Sequence, residues 1–145
     1  MTDKPRFNHV AMTVSPDLLD DDGRKAILDF YGEVFGWEEL PTMTEDRKRL
    51  VLMAYEFGQF VFLEAGEPTL RASVVGDHFG MAVATVDELD AMRERALAWQ
   101  QRDDRVTVTE RKVDDFGVLD LTSFYTHYLL PLTVEVQHFN WKHAA

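Results

Sequence analysis

A short stretch of this chain occurs twice. Phe7-Asn-His-Val-Ala-Met-Thr-Val14 recurs as Asp77-His-Phe-Gly-Met-Ala-Val83, and in both copies a histidine is followed by an apolar residue, a small residue, methionine, a small residue and valine. Such a repeat constrains the fold strongly, because each copy must open an equivalent structural unit, and a unit of this size cannot bury its apolar face alone. The reading is a duplicated module.

The residues after each copy support this. Beyond the second copy, Thr85 and Glu88 stand in capping-box spacing, and Leu89, Met92, Ala96 and Trp99 recur at steps of three and four, predicting a helix from Asp87 to Arg102. Beyond the first, Ile27, Phe30, Tyr31 and Val34 predict a helix from Lys25 to Val34 that stops at Gly36. The preceding Asp20-Asp21-Asp22-Gly23 reads as a loop supplying an N-cap and favourable charge; the EF-hand spacing of a calcium loop is missing. Strand-like stretches then run from Glu38 to Thr42, Arg49 to Glu56 and Gln59 to Ala65, with Phe57-Gly58 as a hairpin turn. In the second half they run from Val106 to Val113, Val118 to Leu129 and Leu132 to Phe139. The expectation is an α+β fold: one domain over 1–145 made of two β-α-β-β-β modules, about 5–70 and 75–140, joined through Glu67 to Gly76 and closing around a cleft.

Composition narrows the partners. Fifteen basic against 26 acidic side chains give a net charge of −11, which disfavours nucleic acid and anionic membranes. The longest apolar run, Leu50 to Tyr55, is far too short to span a bilayer, and no apolar signal core follows Met1; the expectation is a cytoplasmic protein. With no cysteine, any metal must be held by nitrogen and oxygen.

The chemistry-bearing residues fall at corresponding places. Strand alternation puts His9, Ala11 and Thr13 on one face and His78, Gly80 and Ala82 on another, the small residues leaving open space beside each histidine. In the last strand Glu135 lies between Val134 and Val136, a poor environment for a carboxylate unless its charge is compensated. If the modules close around one cleft, His9, His78 and Glu135 can converge on a divalent cation as a two-histidine, one-carboxylate facial triad. Glu64 is a candidate fourth ligand, since it follows His9 at nearly the distance at which Glu135 follows His78; Phe62 shares its parity and competes for that position. Tyr125 and His127 share a parity near the presumed cleft and are candidates for hydrogen bonds to the ligands. His138 is expected to face away from Glu135, and Trp37, Trp99 and Trp141 are read as core or interface anchors.

Phe7-Asn-His-Val-Ala, the helix Ile27-Leu-Asp-Phe-Tyr-Gly-Glu-Val-Phe-Gly-Trp37, Asp77-His-Phe-Gly and Val134-Glu-Val together resemble the vicinal oxygen chelate superfamily, which includes glyoxalase I, extradiol dioxygenases, fosfomycin resistance transferases and bleomycin resistance proteins. The resemblance implies a glyoxalase-like fold, a homodimer, and one divalent ion (Fe, Mn, Ni or Zn) on the positions matching His9, His78 and Glu135, with Glu64 or its neighbour as a fourth. Two departures stand out. Tyr128-Leu-Leu-Pro-Leu-Thr replaces the family's Asp-Pro-Asp-Gly-Asn turn, and Ala11 stands where fosfomycin transferases carry threonine.

The expected function is a metal-dependent enzyme acting on a small molecule with vicinal oxygens. A lyase or isomerase step is favoured, with Glu135 or Glu64 as catalytic base. The alternatives are an iron(II) extradiol dioxygenase and a metal-free protein sequestering a cationic drug, which the acidic charge would suit.

Overall fold

The computed structural model describes residues 7–40, 48–56, 58–67 and 76–142. The chain divides into two compact units, Met1–Thr69 and Leu70–Ala145. Phe57 and residues 41–42, expected to form part of a turn and a strand end, lie outside the described residues.

In the first unit, β1 (His9–Val14) leads through a 3-10 turn (Pro16–Leu19) into α1 (Asp21–Phe35), then β2 (Glu38–Glu39), β3 (Arg49–Met53) and β4 (Phe60–Ala65). The sheet order is β1-β4-β3-β2, with β1 and β4 parallel and the other pairs antiparallel. The helix begins at Asp21 rather than Lys25, because the Asp20 side chain already caps it by accepting from the Gly23 amide at 2.7 Å. It ends where expected, at Gly36, whose left-handed φ of 75° lets its amide reach back to Gly32. Ile27, Phe30, Tyr31 and Val34 are fully buried, as are Leu50, Leu52 and Leu63 of the sheet. Trp37 joins this core by stacking on Tyr31.

The second unit runs β5 (His78–Ala82), α2 (Val86–Arg102), β6 (Thr107–Val108), β7 (Lys112–Asp115), β8 (Leu119–His127) and β9 (Thr133–Trp141). Its order, β5-β9-β8-β6, repeats that of the first unit, with β5 and β9 parallel and β7 also pairing β8. Thr85 and Glu88 form the expected capping box. α2 packs against β8 and β9, burying Leu89 and Ala96 with Val134, Val136 and Phe124. The continuous strand expected from Val106 to Val113 is instead two short strands separated by Thr109–Arg111. Four successive polar side chains, Thr109 to Lys112, interrupt the alternation that a half-buried strand requires. Trp141 is not a core anchor in the chain, since it is 62% exposed. Among the described residues, no helix is long and apolar enough to cross a membrane.

The C-terminus of α2 is tied to the β8–β9 turn by one polar network. Arg105 donates to both oxygens of Asp103, at 3.0 and 2.7 Å, and the Tyr128 hydroxyl donates to the same carboxylate at 2.7 Å. The arginine and then the tyrosine hold the Asp103 carboxyl well below its usual range. Tyr128 is 1% exposed, and burial, followed by its bond to Asp103, pushes its hydroxyl from 10.0 up to about 12. The folded protein therefore keeps a proton over pH 10 to 12 that the unfolded chain has released, so stability falls as the pH rises through that window. Tyr128→Phe is expected to lower stability by about 1 kcal/mol at neutral pH. Its deficit relative to wild type should shrink from pH 10 toward 12, as read by urea unfolding.

Candidate metal centre

The parallel pairing of β5 with β9 decides which side chains meet. His78 pairs with Thr133 and Gly80 with Glu135, while on the other side of β9 Tyr125 pairs with Glu135. Paired residues share a sheet face, so Gly80, Glu135 and Tyr125 form a row across three strands, with His78 one alternation away. Gly80 keeps this row open. A Cβ there would lie 3.9 Å from Glu135 Oε2.

Glu135 is 8% exposed, and its Oε2 stands 3.3 Å from His78 Nε2. His78 Nδ1 lies 2.7 Å from the Gly76 carbonyl, an oxygen that can only accept; Nδ1 therefore carries a hydrogen, and in its neutral form the ring offers a lone pair at Nε2. In that form the lone pair and the carboxylate repel each other unless a cation lies between them, whereas a proton on Nε2 would make the two an ion pair. Two donors on one cation at about 2.1 Å each stand about 3 Å apart, so the observed separation fits a shared ion. A backbone carbonyl bonded to the far nitrogen is also the usual support of a metal-binding histidine.

Tyr125 completes this group. Its hydroxyl hydrogen-bonds Glu135, its ring packs edge-on to His78 at 5.3 Å, and burial and then the bond to Glu135 push its hydroxyl above its ordinary value. It is held as a protonated donor to the carboxylate. His127 does something else: its Nε2 lies against the Leu130 carbonyl, bracing the turn where Leu129 takes a left-handed φ of 61°.

In the first unit His9 is exposed at the start of β1, stacked on Phe60 with ring centroids 4.9 Å apart. Its Nδ1 lies 2.7 Å from Asn8 Oδ1, which leaves Nε2 as the ring nitrogen not engaged in that contact. The register corrects the expected equivalence of Glu64 and Glu135. Ala11 pairs with Phe62 as Gly80 pairs with Glu135, so Phe62 occupies the matching position. Glu64 lies further along, opposite Thr13 and Arg49. That is four strand residues from the partner of His9, a displacement of about 13 Å. His138 pairs with Thr122 and, as expected, lies on the face away from Glu135.

A groove of about 640 Å³ opens beside His78, Tyr125 and Ser123, walled by Thr109, Glu110, Arg111 and Lys112. The wall was not among the residues singled out from the sequence, although the interrupted alternation at Thr109–Lys112 signals it. Among the described residues, no three His, Asp or Glu side chains form a group that could hold a metal ion.

No protein-family model matches the chain, and no curated protein matches it. Solved structures do. A glyoxalase/bleomycin resistance protein from Albidiferax ferrireducens is 17% identical, with 91% of this chain and 98% of that one covered at a TM-score of 0.62. A glyoxalase/bleomycin resistance protein/dioxygenase from Alicyclobacillus acidocaldarius is 17% identical over 96% and 95%, at 0.60. A mutant of the fosfomycin resistance protein FosX from Listeria monocytogenes, complexed with manganese(II) and a dihydroxypropylphosphonic acid, is 17% identical over 90% and 87%, at 0.59. These likenesses concern the fold alone: the chain has the glyoxalase-like α+β fold of these structures.

Proposed function

We propose that this protein is a metal-dependent enzyme acting on a small molecule that presents two adjacent oxygens, with His9, His78 and Glu135 holding one divalent ion of Fe, Mn, Ni or Zn. The carrying observation is His78 Nε2 standing 3.3 Å from the buried Glu135 carboxylate while its Nδ1 is held by the Gly76 carbonyl. His9, whose Nδ1 is likewise engaged and whose Nε2 is not in that contact, supports the third ligand. Known complexes of this fold support the class, since FosX has been seen with manganese(II) and a dihydroxy compound.

The bound ion supplies Lewis acidity toward the two substrate oxygens. The rest falls to the chain. The Gly76 carbonyl fixes the His78 tautomer, and Tyr125 holds the Glu135 carboxylate in place. Gly80 leaves the room beside it that a substrate needs. In the lyase or isomerase reading, Glu135 is the carboxylate positioned to take a proton from the carbon next to a carbonyl. This reading leaves Glu64 out, since Phe62 pairs with Ala11 as Glu135 pairs with Gly80. That same apolar residue favours a second reading: a three-ligand site suits an iron(II) oxygenase, which needs open positions for dioxygen as well as substrate. Turnover of hemithioacetal and catechol panels with and without oxygen separates the two readings.

Titration of chelator-stripped protein with each of the four ions tests the centre. One ion should bind and raise the melting temperature, and His9→Ala or His78→Ala should abolish both effects. If none of the ions binds or stabilises the wild type, the centre does not exist. We also propose a homodimer, and mixing the two variants then tells where His9 comes from. Recovered metal binding assigns His9 to a second copy; no recovery assigns it to the same chain.

A further inference from the structure

The register fixes which charges a ligand meets on the open face of the second sheet. Lys112 pairs with Ser123 and Ser123 with Gln137, forming the row next to that of Tyr125, Glu135 and Gly80. Lys112 is the one lysine or arginine that the strands of this unit place on that face among the described residues. Arg111 stands beside it in the groove wall. The wall's acidic member is drawn off: the Glu110 side chain is 98% exposed and pairs with Arg93 of α2 at 3.5 Å.

The nearby ion pairs are internally neutral, Lys112 with Asp114 at 2.9 Å and Arg111 with Asp90 at 2.8 Å. A divalent ion on Glu135 therefore leaves this face net positive, although the chain as a whole carries −11. The Lys112 side chain is 70% exposed, so its ammonium keeps hydrogens available to a ligand. Thr109 Oγ1 accepts from the Tyr125 amide at 2.8 Å, which leaves its own hydrogen free to be donated.

We propose that the groove takes a small organic anion, whose carboxylate or phosphate-type oxyanion is met by Lys112, with Arg111 and the hydroxyls of Ser123 and Thr109 around it. The position of its adjacent oxygens, toward His78 and Glu135, and the net positive sign of the face rest on the metal-centre reading; the hydrogens that Lys112, Ser123 and Thr109 offer an oxyanion do not. Lys112 lies two strands and one alternation from Glu135, about 12 Å between Cα positions, so the oxyanion sits only a few bonds from the chelated oxygens. A cationic ligand, the partner that net charge alone would suggest, meets the wrong sign here.

The test uses full-length protein with one equivalent of zinc at low ionic strength, with inorganic phosphate and acetate as probes, tetramethylammonium as the cationic control, and backbone amide shifts as the readout. Either anion should saturably shift the amides of Lys112, Ser123 and Tyr125, and tetramethylammonium should not. Lys112→Met should weaken anion binding about fivefold, as for a partly exposed charge contact, and Lys112→Glu should weaken it further. Manganese(II) affinity should stay unchanged in Lys112→Met. Absence of saturable shifts, equal binding by Lys112→Met, or binding of tetramethylammonium in the groove overturns the proposal. Manganese binding without anion binding fails the oxyanion contact alone; anion binding without manganese fails the metal centre alone.

Discussion

Glu135→Gln is expected to lower affinity for the divalent ion by more than about a hundredfold, the upper end of what loss of a mere supporting hydrogen bond causes, while leaving the metal-free protein at least as stable as wild type. The two halves of this expectation have one origin. Glu135 lies 8% exposed between Val134 and Val136, with its Oε2 facing the lone pair of His78. Without an ion, and at a pH where the His78 ring is neutral, that is a desolvated charge opposed by an acceptor, an arrangement that costs stability. Glutamine keeps the shape. Its amide nitrogen can donate to His78 Nε2, and its carbonyl can still accept from Tyr125. Isothermal titration with manganese(II) or zinc, set beside urea unfolding of the metal-free proteins, reads both effects. A variant that binds the ion normally, or that unfolds at clearly lower urea without metal, would sink the assignment of Glu135 as a ligand held in wait for a cation.

How far the site could be read from the sequence depends on whether local pattern or strand register carried the information. The repeated histidine and the glutamate between valines are local, and their place on matching strands followed from alternation alone. The capping box of α2 was likewise legible, because Thr85 and Glu88 signal each other across three residues. Glu64 was not decidable. It and Phe62 share a parity, so both choices satisfy the same pattern, and only the pairing of Ala11 with Phe62 distinguishes them. The wall of the groove is less legible for a related reason: Val106 to Val113 has β-branched residues at both ends, and these mask the polar run between them. The charge on the binding face was also hidden, since a total of −11 says nothing about which strand carries Lys112.

Two glycines of α1 should respond to the same substitution with opposite signs. A helix interior ordinarily gains about 0.5–1 kcal/mol when alanine replaces glycine, because the unfolded chain loses freedom. Gly32→Ala should show this gain, as the added Cβ would lie 3.4 Å from the Trp37 carbonyl oxygen, an ordinary contact. Gly23→Ala cannot. Its Cβ would fall 2.3 Å from the Leu18 carbonyl oxygen and 2.8 Å from Leu18 Cα, and both are backbone atoms with no rotamer to give way. The clash is enforced from several directions. Asp20 holds the Gly23 amide at 2.7 Å, the Arg24 amide donates to the Asp20 carbonyl, and Arg24 Nε donates to the Leu19 carbonyl, so the 3-10 turn and the first turn of α1 are closed on one another. Relieving the contact means breaking these bonds or opening the turn, an overpacking penalty of about 1–3 kcal/mol that outweighs the propensity gain. Urea unfolding should place Gly23→Ala about 2 kcal/mol below wild type and Gly32→Ala slightly above it. Two shifts of the same sign would mean that the turn does not close on α1 as tightly as these distances require.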